Sequence, residues 1–162
     1  MPSASAPTAY LFDSSALVKR YVAEVGSAWV GALCKPEAGN IIASAHIGMV
    51  EVAAALAAKV RGKFVTVSEY TNALNDLIFD ARNQYELVQV EQSLIDLAID
   101  LTRRHKLRGY DAVHLAAGLS LNAALLARSL PSLVFVSADN DLLSAAKVEG
   151  LPTDNPNAHL VP

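Results

Sequence analysis

The sequence predicts an α/β domain with a mainly parallel central sheet and helices on both of its faces. Three observations carry that prediction. Short runs, AYLF at 9–12, NIIA at 40–43, YELVQV at 85–90 and SLVFV at 132–136, alternate with longer stretches whose apolar residues recur at helical spacing. AYLF is apolar throughout, and NIIA and SLVFV are apolar after their first residue, the composition of strands covered on both faces. Two of them lead into a carboxylate, Asp13 directly and Asp139 after Ser137 and Ala138. That is the strand edge at which open parallel sheets bind ligands.

Taken in order, the strand near 9–13 ends in Asp13-Ser14-Ser15, a tight turn into ALVKRYVAE, which reads as a helix capped by Ser or Asp. Gly26 stops it, and Ser27 opens a second helix through Trp29, Val30 and Leu33 that ends around Pro36 and Gly39. After the strand at 40–43, Ser44 reads as the cap of a helix running to about residue 61. Glu51 is its only charged residue between Ala43 and Ala58 and shares a face with Ile47, Ala54, Ala55 and Ala58. Residues 66–83 form a more exposed helix, and 85–90 alternate as a strand. Residues 91–106 form an amphipathic helix with Leu94, Leu97, Ala98, Leu101 and Thr102 inward, closing in Arg103, Arg104, His105 and Lys106, where the helix dipole favours cations. From Ala112 to Ala127 there is no Asp, Glu, Lys or Arg, so this is a buried helix with Asp111 at its head, in the position of an N-cap. A strand at 132–137 leads to Asp139 and Asp141, a helix at 142–148 follows, and Gly150 and Pro152 end it. The expected organisation is a loose segment at 1–8, one domain at 9–155 and a tail at 156–162.

Composition narrows the class. The chain has 162 residues, enough for one well-cored domain, with 52% hydrophobic and 18% charged residues, as in a compact globule. A single cysteine, Cys34, rules out an internal disulfide framework and a cysteine zinc site and fits a reducing cytoplasm. MPSASAPT lacks the basic start and apolar stretch of a signal peptide, and no apolar run is long enough to span a membrane. The net charge of −3 argues against holding nucleic acid by overall charge. It leaves room for an acidic site in which a metal supplies the positive charge.

Asp13, Glu51, Asp111 and Asp139 all sit at the edge of, or within, apolar elements. Were they to converge, two carboxylates about 4 Å apart would repel by roughly 4 kcal/mol at an effective dielectric near 20. Protonation or a divalent cation relieves that, and an all-oxygen set suits Mg²⁺ or Mn²⁺ rather than zinc.

The motifs AYLFDSSALVKRYVAEVGS, ASAHIGMVEVAAALAAKV, RGYDAVHLAAGL and FVSADNDLLSAAKVEGL together resemble the PIN-domain family, especially VapC-type toxins of bacterial toxin–antitoxin pairs. The likeness runs from about Tyr10 to Leu151. Each motif alone is weak; four in family order and spacing are specific. The resemblance implies a PIN-like three-layer α/β/α sandwich and a Mg²⁺- or Mn²⁺-dependent endoribonuclease. Asp13, Glu51, Asp111 and Asp139 match the family's acidic positions. It implies in turn an RNA substrate, a VapB-type antitoxin whose Arg or Lys reaches the acidic pocket, and a cytoplasmic protein. A homodimer, with an antitoxin segment along the same helices, is expected from a broad apolar surface on the helices at 14–34 and 44–61 that includes Trp29, Val30 and Leu33.

Two departures matter. Asp141 adds a second carboxylate to the fourth motif, so either it or Asp139 could face the metal, and Ser137 stands where the family often has Thr. Ser15 is placed to orient Asp13. His114 reads as a satisfied packing residue and Cys34 as packing, while Lys19, Arg20 and Arg108 are candidate phosphate contacts. A DNA nuclease or phosphohydrolase using the same pocket, and a non-catalytic docking module, are the competing readings.

Overall fold

The computed structural model describes residues 7–160. Among them, five strands form one sheet: β1 (Ala9–Phe12), β2 (Ile41–Ala45), β3 (Glu86–Val88), β4 (Val134–Val136) and β5 (Thr153–Asp154). Their order is β3-β2-β1-β4-β5, and every neighbouring pair is parallel. The helices are α1 (Ser14–Leu17), α2 (Ser27–Leu33), α3 (Gly48–Arg61), α4 (Val67–Asn83), α5 (Gln92–Arg104), α6 (Gly109–Ala127) and α7 (Asn140–Val148). The expected α/β/α sandwich is the observed one.

The pleat of β1 divides the core in two. Ala9 and Leu11 point into a cluster built with α5, α6 and α7, whereas Phe12, one residue on, points into a second cluster built with α1 to α4. β4 repeats this, with Phe135 in the first cluster and Val136 in the second. Because both faces are covered, the strands carry almost no alternation of polar residues. The helix α6 buries Ala112 and His114 to Gly118, but its second half emerges, with Leu126 53% exposed. A Cβ at Gly118 would stand 2.9 Å from the Phe135 ring, which is how closely α6 lies on β4.

Several local expectations are corrected. The helix after Asp13 ends at Leu17 and tightens into a 3-10 turn at Val18–Arg20. Ser44 is not a cap: β2 runs through it, and its hydroxyl donates to the Phe12 carbonyl at 2.9 Å. Thr102 faces solvent and back-bonds to Ile99. Asp111 sits inside the first turn of α6, with Arg108 at the cap position.

The chain after Leu151 adds β5, and Pro156–Ala158 form a buried-sided 3-10 turn against α2. The boundary expected at 155 therefore falls inside packed structure: His159 lies flat on Trp29, ring centroids 3.9 Å apart and 3° from parallel. Residues 1–6 and 161–162 lie outside the described residues, and so do most of the loose segment and the end of the tail.

Val30 is fully buried and Trp29 and Leu33 are half-covered, so the apolar surface expected on α2 is mostly used in the core. Exposed apolar side chains remain on α3, the other helix of that expectation, and occur also on α4 and the turn between them: Val50, Phe64, Val67, Ile78 and Phe79. Among the described residues no helix is long and apolar enough to cross a membrane.

Candidate active site

The strand order reverses between β1 and β4: from β1 the chain steps outward to β2 and β3, then returns to build β4 and β5 on the other side. Such a switch point opens a crevice beyond the carboxyl ends of the two central strands. The register pairs Phe12 with Val136, so the next residues, Asp13 and Ser137, are neighbours, and the Asp13 amide donates to the Val136 carbonyl at 3.1 Å.

Asp13 is almost fully buried and densely hydrogen-bonded. Its Oδ1 accepts from the Ser15 hydroxyl at 2.7 Å and from the Ala16 amide at 2.9 Å, which caps α1. Its Oδ2 accepts from the Ser137 hydroxyl at 2.6 Å. Burial pushes the Asp13 carboxyl above its usual range; the Ser137 bond, the charge of His114, the Ser15 bond and the Ala16 amide oppose it without cancelling it. Ser137 also accepts from the Asp139 amide at 3.0 Å, and Ser15 from the Ala138 amide at 3.0 Å, so the two serines tie both strand ends together.

Asp139 is the N-cap of α7, with Oδ1 accepting from the Asp141 and Leu142 amides at 2.8 and 3.3 Å. A cleft of about 400 Å³ is lined by Asp111, Asp139 and Asp141 with Lys106 and Arg108. Burial first, then the charges of Asp139 and Asp13, raise the Asp111 carboxyl. Asp139 and Asp141 both line the cleft beside Asp111.

Glu51, in the first turn of α3, is held from two sides. Ser14 donates to Oε2 at 2.6 Å, and His114 of α6 meets Oε1 through Nε2 at 3.1 Å. Burial works to raise the Glu51 carboxyl, but the His114 and Ser14 bonds and the His114 charge outweigh it and hold it below its usual range. His114 is buried, and its Nδ1 has no protein partner among the described residues. Its place depends on Gly48, where a Cβ would stand 2.8 Å from the Ser44 hydroxyl and 3.0 Å from the His114 ring.

Asp13 and Asp139 thus stand just beyond the two central strands, Asp111 lines one cleft with Asp139, and Glu51 is tied to α1 by Ser14 and to α6 by His114. Lys19 and Arg20 do not join them. Lys19 is buried, 3.1 Å from Glu24 and 2.9 Å from the Val25 carbonyl. Arg20 points to Asp80, at 3.9 Å, beside the hydrogen-bonded pair Tyr21 and Tyr85. Both are corrected as phosphate contacts, because short helix α1 and its 3-10 extension turn them away from the cleft. Arg108 remains, at the cleft. Cys34 is buried, and burial raises its thiol to about 11, as befits a packing residue.

Ser14 and His114 were the residues that sequence reasoning undervalued. The signals were there: Ser14 adjoins Asp13, and His114 follows Asp111 by three residues and so shares its helical face.

A donor set made only of carboxylate oxygens, with Asp111 and Asp139 lining one cleft, fits a hard divalent cation. Among the described residues no three His, Cys, Asp or Glu side chains stand close enough to enclose an ion outright. Mg²⁺ does not require that, since it keeps several waters and commonly takes one or two carboxylates plus substrate phosphate.

This fold with carboxylates at its switch point defines a PIN-like nuclease domain. The chain belongs to the VapC ribonuclease family: it is 37% identical over 142 residues to Ribonuclease VapC45 of Mycobacterium tuberculosis strain CDC 1551 / Oshkosh, covering 86% of this chain and 90% of that protein. Ribonuclease VapC49 of Mycobacterium tuberculosis strain H37Rv matches to the same extent. No protein-family model matches the chain. Among solved structures, PAE2754 from Pyrobaculum aerophilum superposes with TM-score 0.58 at 20% identity, covering 94% of this chain and 93% of that one. FitAcB from Neisseria gonorrhoeae gives 0.59 at 15%, with 93% and 99% covered. VapBC2 from Rickettsia felis, solved bound to a DNA fragment from its promoter, gives 0.59 at 13%, with 91% and 98% covered. These distant neighbours bear on the fold.

Proposed function

We propose that this protein is a Mg²⁺- or Mn²⁺-dependent endoribonuclease, the toxin of a toxin–antitoxin pair, acting in the cytoplasm. The observation that carries the reading is the placement of Asp13 and Asp139 just beyond the two central strands, with Asp111 lining a cleft beside Asp139, in a chain 37% identical to proteins named ribonucleases. Asp13, Asp111 and Asp139 would hold the cation, with Asp141 beside them. The cation would supply charge neutralisation on the phosphodiester and a more acidic water.

The chain's own residues do the rest. Ser15 and Ser137 fix both oxygens of Asp13, so its carboxylate is preorganised and does not have to reorient during reaction. Glu51, held ionised by Ser14 and His114, is set to accept a proton from water or to orient it. Arg108 offers a guanidinium at the mouth of the cleft. A VapB-type antitoxin and a second copy of the chain are the proposed protein partners, and the exposed apolar side chains of α3 and α4 are the surface available for such association.

Incubating the purified chain with single-stranded RNA or DNA of the same sequence, with Mg²⁺, Mn²⁺ or EDTA, tests the reading. Cleavage of RNA that EDTA abolishes is expected. Cutting of DNA alone, or full RNA cleavage in EDTA, would contradict it.

A further inference from the structure

We propose that the groove between the His105–Arg108 loop and α7 carries the RNA strand away from the acidic centre, with Lys106 and Arg108 holding its phosphates. The proposal rests on the ribonuclease reading. Two adjoining clefts share Lys106, Leu107 and Asp141, so one continuous groove runs from Asp111 and Asp139 out to Ser144 and Val148.

The basic cluster at 103–108 is sorted by its neighbours. Arg103 and Arg104 each stand 2.9 Å from Asp100, and Arg104 and His105 both pair with Glu149. Those three are engaged by carboxylates. Among the described residues, Lys106 and Arg108 have no such ion pair, and both are exposed. They are also the two cations that line the groove. In a chain of net charge −3, two uncommitted cations along one cleft are a local feature rather than general basicity. Arg108 also offsets the charge of Asp111, which alone would explain it; Lys106 has no such partner and is free to meet an anion in the groove.

Asp141, at the junction of the two clefts, repels phosphate and so assigns the strand's backbone to the opposite, loop-side wall. Val148, 75% exposed at the outer end of the groove, gives apolar surface for a base to cover. Guanidinium and ammonium contacts to phosphate position a strand without reading its sequence, so the groove sets register and affinity.

The test uses the full chain, a fluorescently labelled single-stranded RNA, and anisotropy in EDTA, followed by cleavage kinetics in Mg²⁺. Lys106→Gln and Arg108→Gln should each weaken binding roughly fivefold at about 0.1 M salt and reduce the salt slope by about 0.7, the value for one lost phosphate contact on a single strand. For Lys106→Gln, KM should rise while kcat stays near that of the parent. Arg61→Gln, at the exposed end of α3 and outside both clefts, should change neither. Unchanged affinity and salt slope in both groove variants, with the parent chain still cutting RNA, would overturn the groove alone. An equal loss in Arg61→Gln would also overturn it, by showing a bulk charge effect. A parent chain that neither binds nor cuts RNA would overturn the ribonuclease reading and the groove with it.

Discussion

At the scale of single residues, the site is a set of carboxylates kept apart in chemical character by burial, neighbouring charge and hydrogen bonding. Asp13 and Asp111 are pushed up, Glu51 is held down. For the first two, the folded state binds protons more tightly than the unfolded chain. Their contribution therefore favours folding at acid pH and is lost as pH rises through the folded-state value. Asp111→Asn should accordingly raise Tm at pH 7, at about 2–4 °C per kcal/mol for a chain of this size. The gain should shrink as pH is lowered toward 4 in thermal melts; a gain that grows instead would refute the repulsion. Ser137→Ala removes a buried donor to Asp13 and should cost about 1–3 kcal/mol together with activity, whereas Ser137→Thr should restore both. Equal Tm and cleavage in the Ala and Thr variants would speak against that hydroxyl. The carboxylates were legible because a charge inside or just after an apolar run is conspicuous. The fates of Lys19 and Arg20 were not, because one early turn of 3-10 helix redirected both side chains, and periodicity does not forecast where α tightens to 3-10.

At the scale of elements, the proposed active arrangement is a product of parallel register. β1 and β4 present Asp13 and Ser137 side by side, and α3 and α6 supply Glu51 and His114 across a close approach at Gly48. Gly48→Ala should force the Ser44 hydroxyl or the His114 ring to move, at a cost of about 1–3 kcal/mol. It should also separate His114 from Glu51, lowering cleavage even at temperatures where the variant is folded, which circular dichroism beside an RNA assay would show. Normal cleavage in a folded Gly48→Ala chain would remove His114 from the account. Strands β1, β2 and β4 could be read from sequence because each is a compact apolar run. β5 could not: Thr153 and Asp154 are two polar residues recruited to the sheet edge by backbone pairing with β4, which leaves no hydrophobic signature. The same holds for the segment after it, anchored by a Trp29–His159 stack that depends on residues 130 positions apart in sequence.

At the scale of the whole molecule, two half-cores cover a five-stranded sheet, and the carboxylates gather at the switch point between its central strands. The sandwich and its parallel sheet were legible because alternation of strand and helix leaves few topologies open. The proposed association surface was legible in part: α3 was expected in it, whereas α2 turns out to be covered by the core and by the C-terminal segment. Binding of a cation to the folded state alone should raise Tm with Mg²⁺ or Mn²⁺ concentration, and this rise should vanish in Asp111→Asn. A cation-dependent rise that survives the substitution would place the ion elsewhere. The central claim, that Asp13 anchors a metal-dependent ribonuclease centre, is tested most directly by single-turnover cleavage of RNA by Asp13→Asn in excess Mg²⁺, with the fold checked by its melt. The account predicts a folded variant whose cleavage rate falls by a factor on the order of 100 or more, as for loss of a group that stabilises the transition state. Cleavage at the parent rate would contradict it.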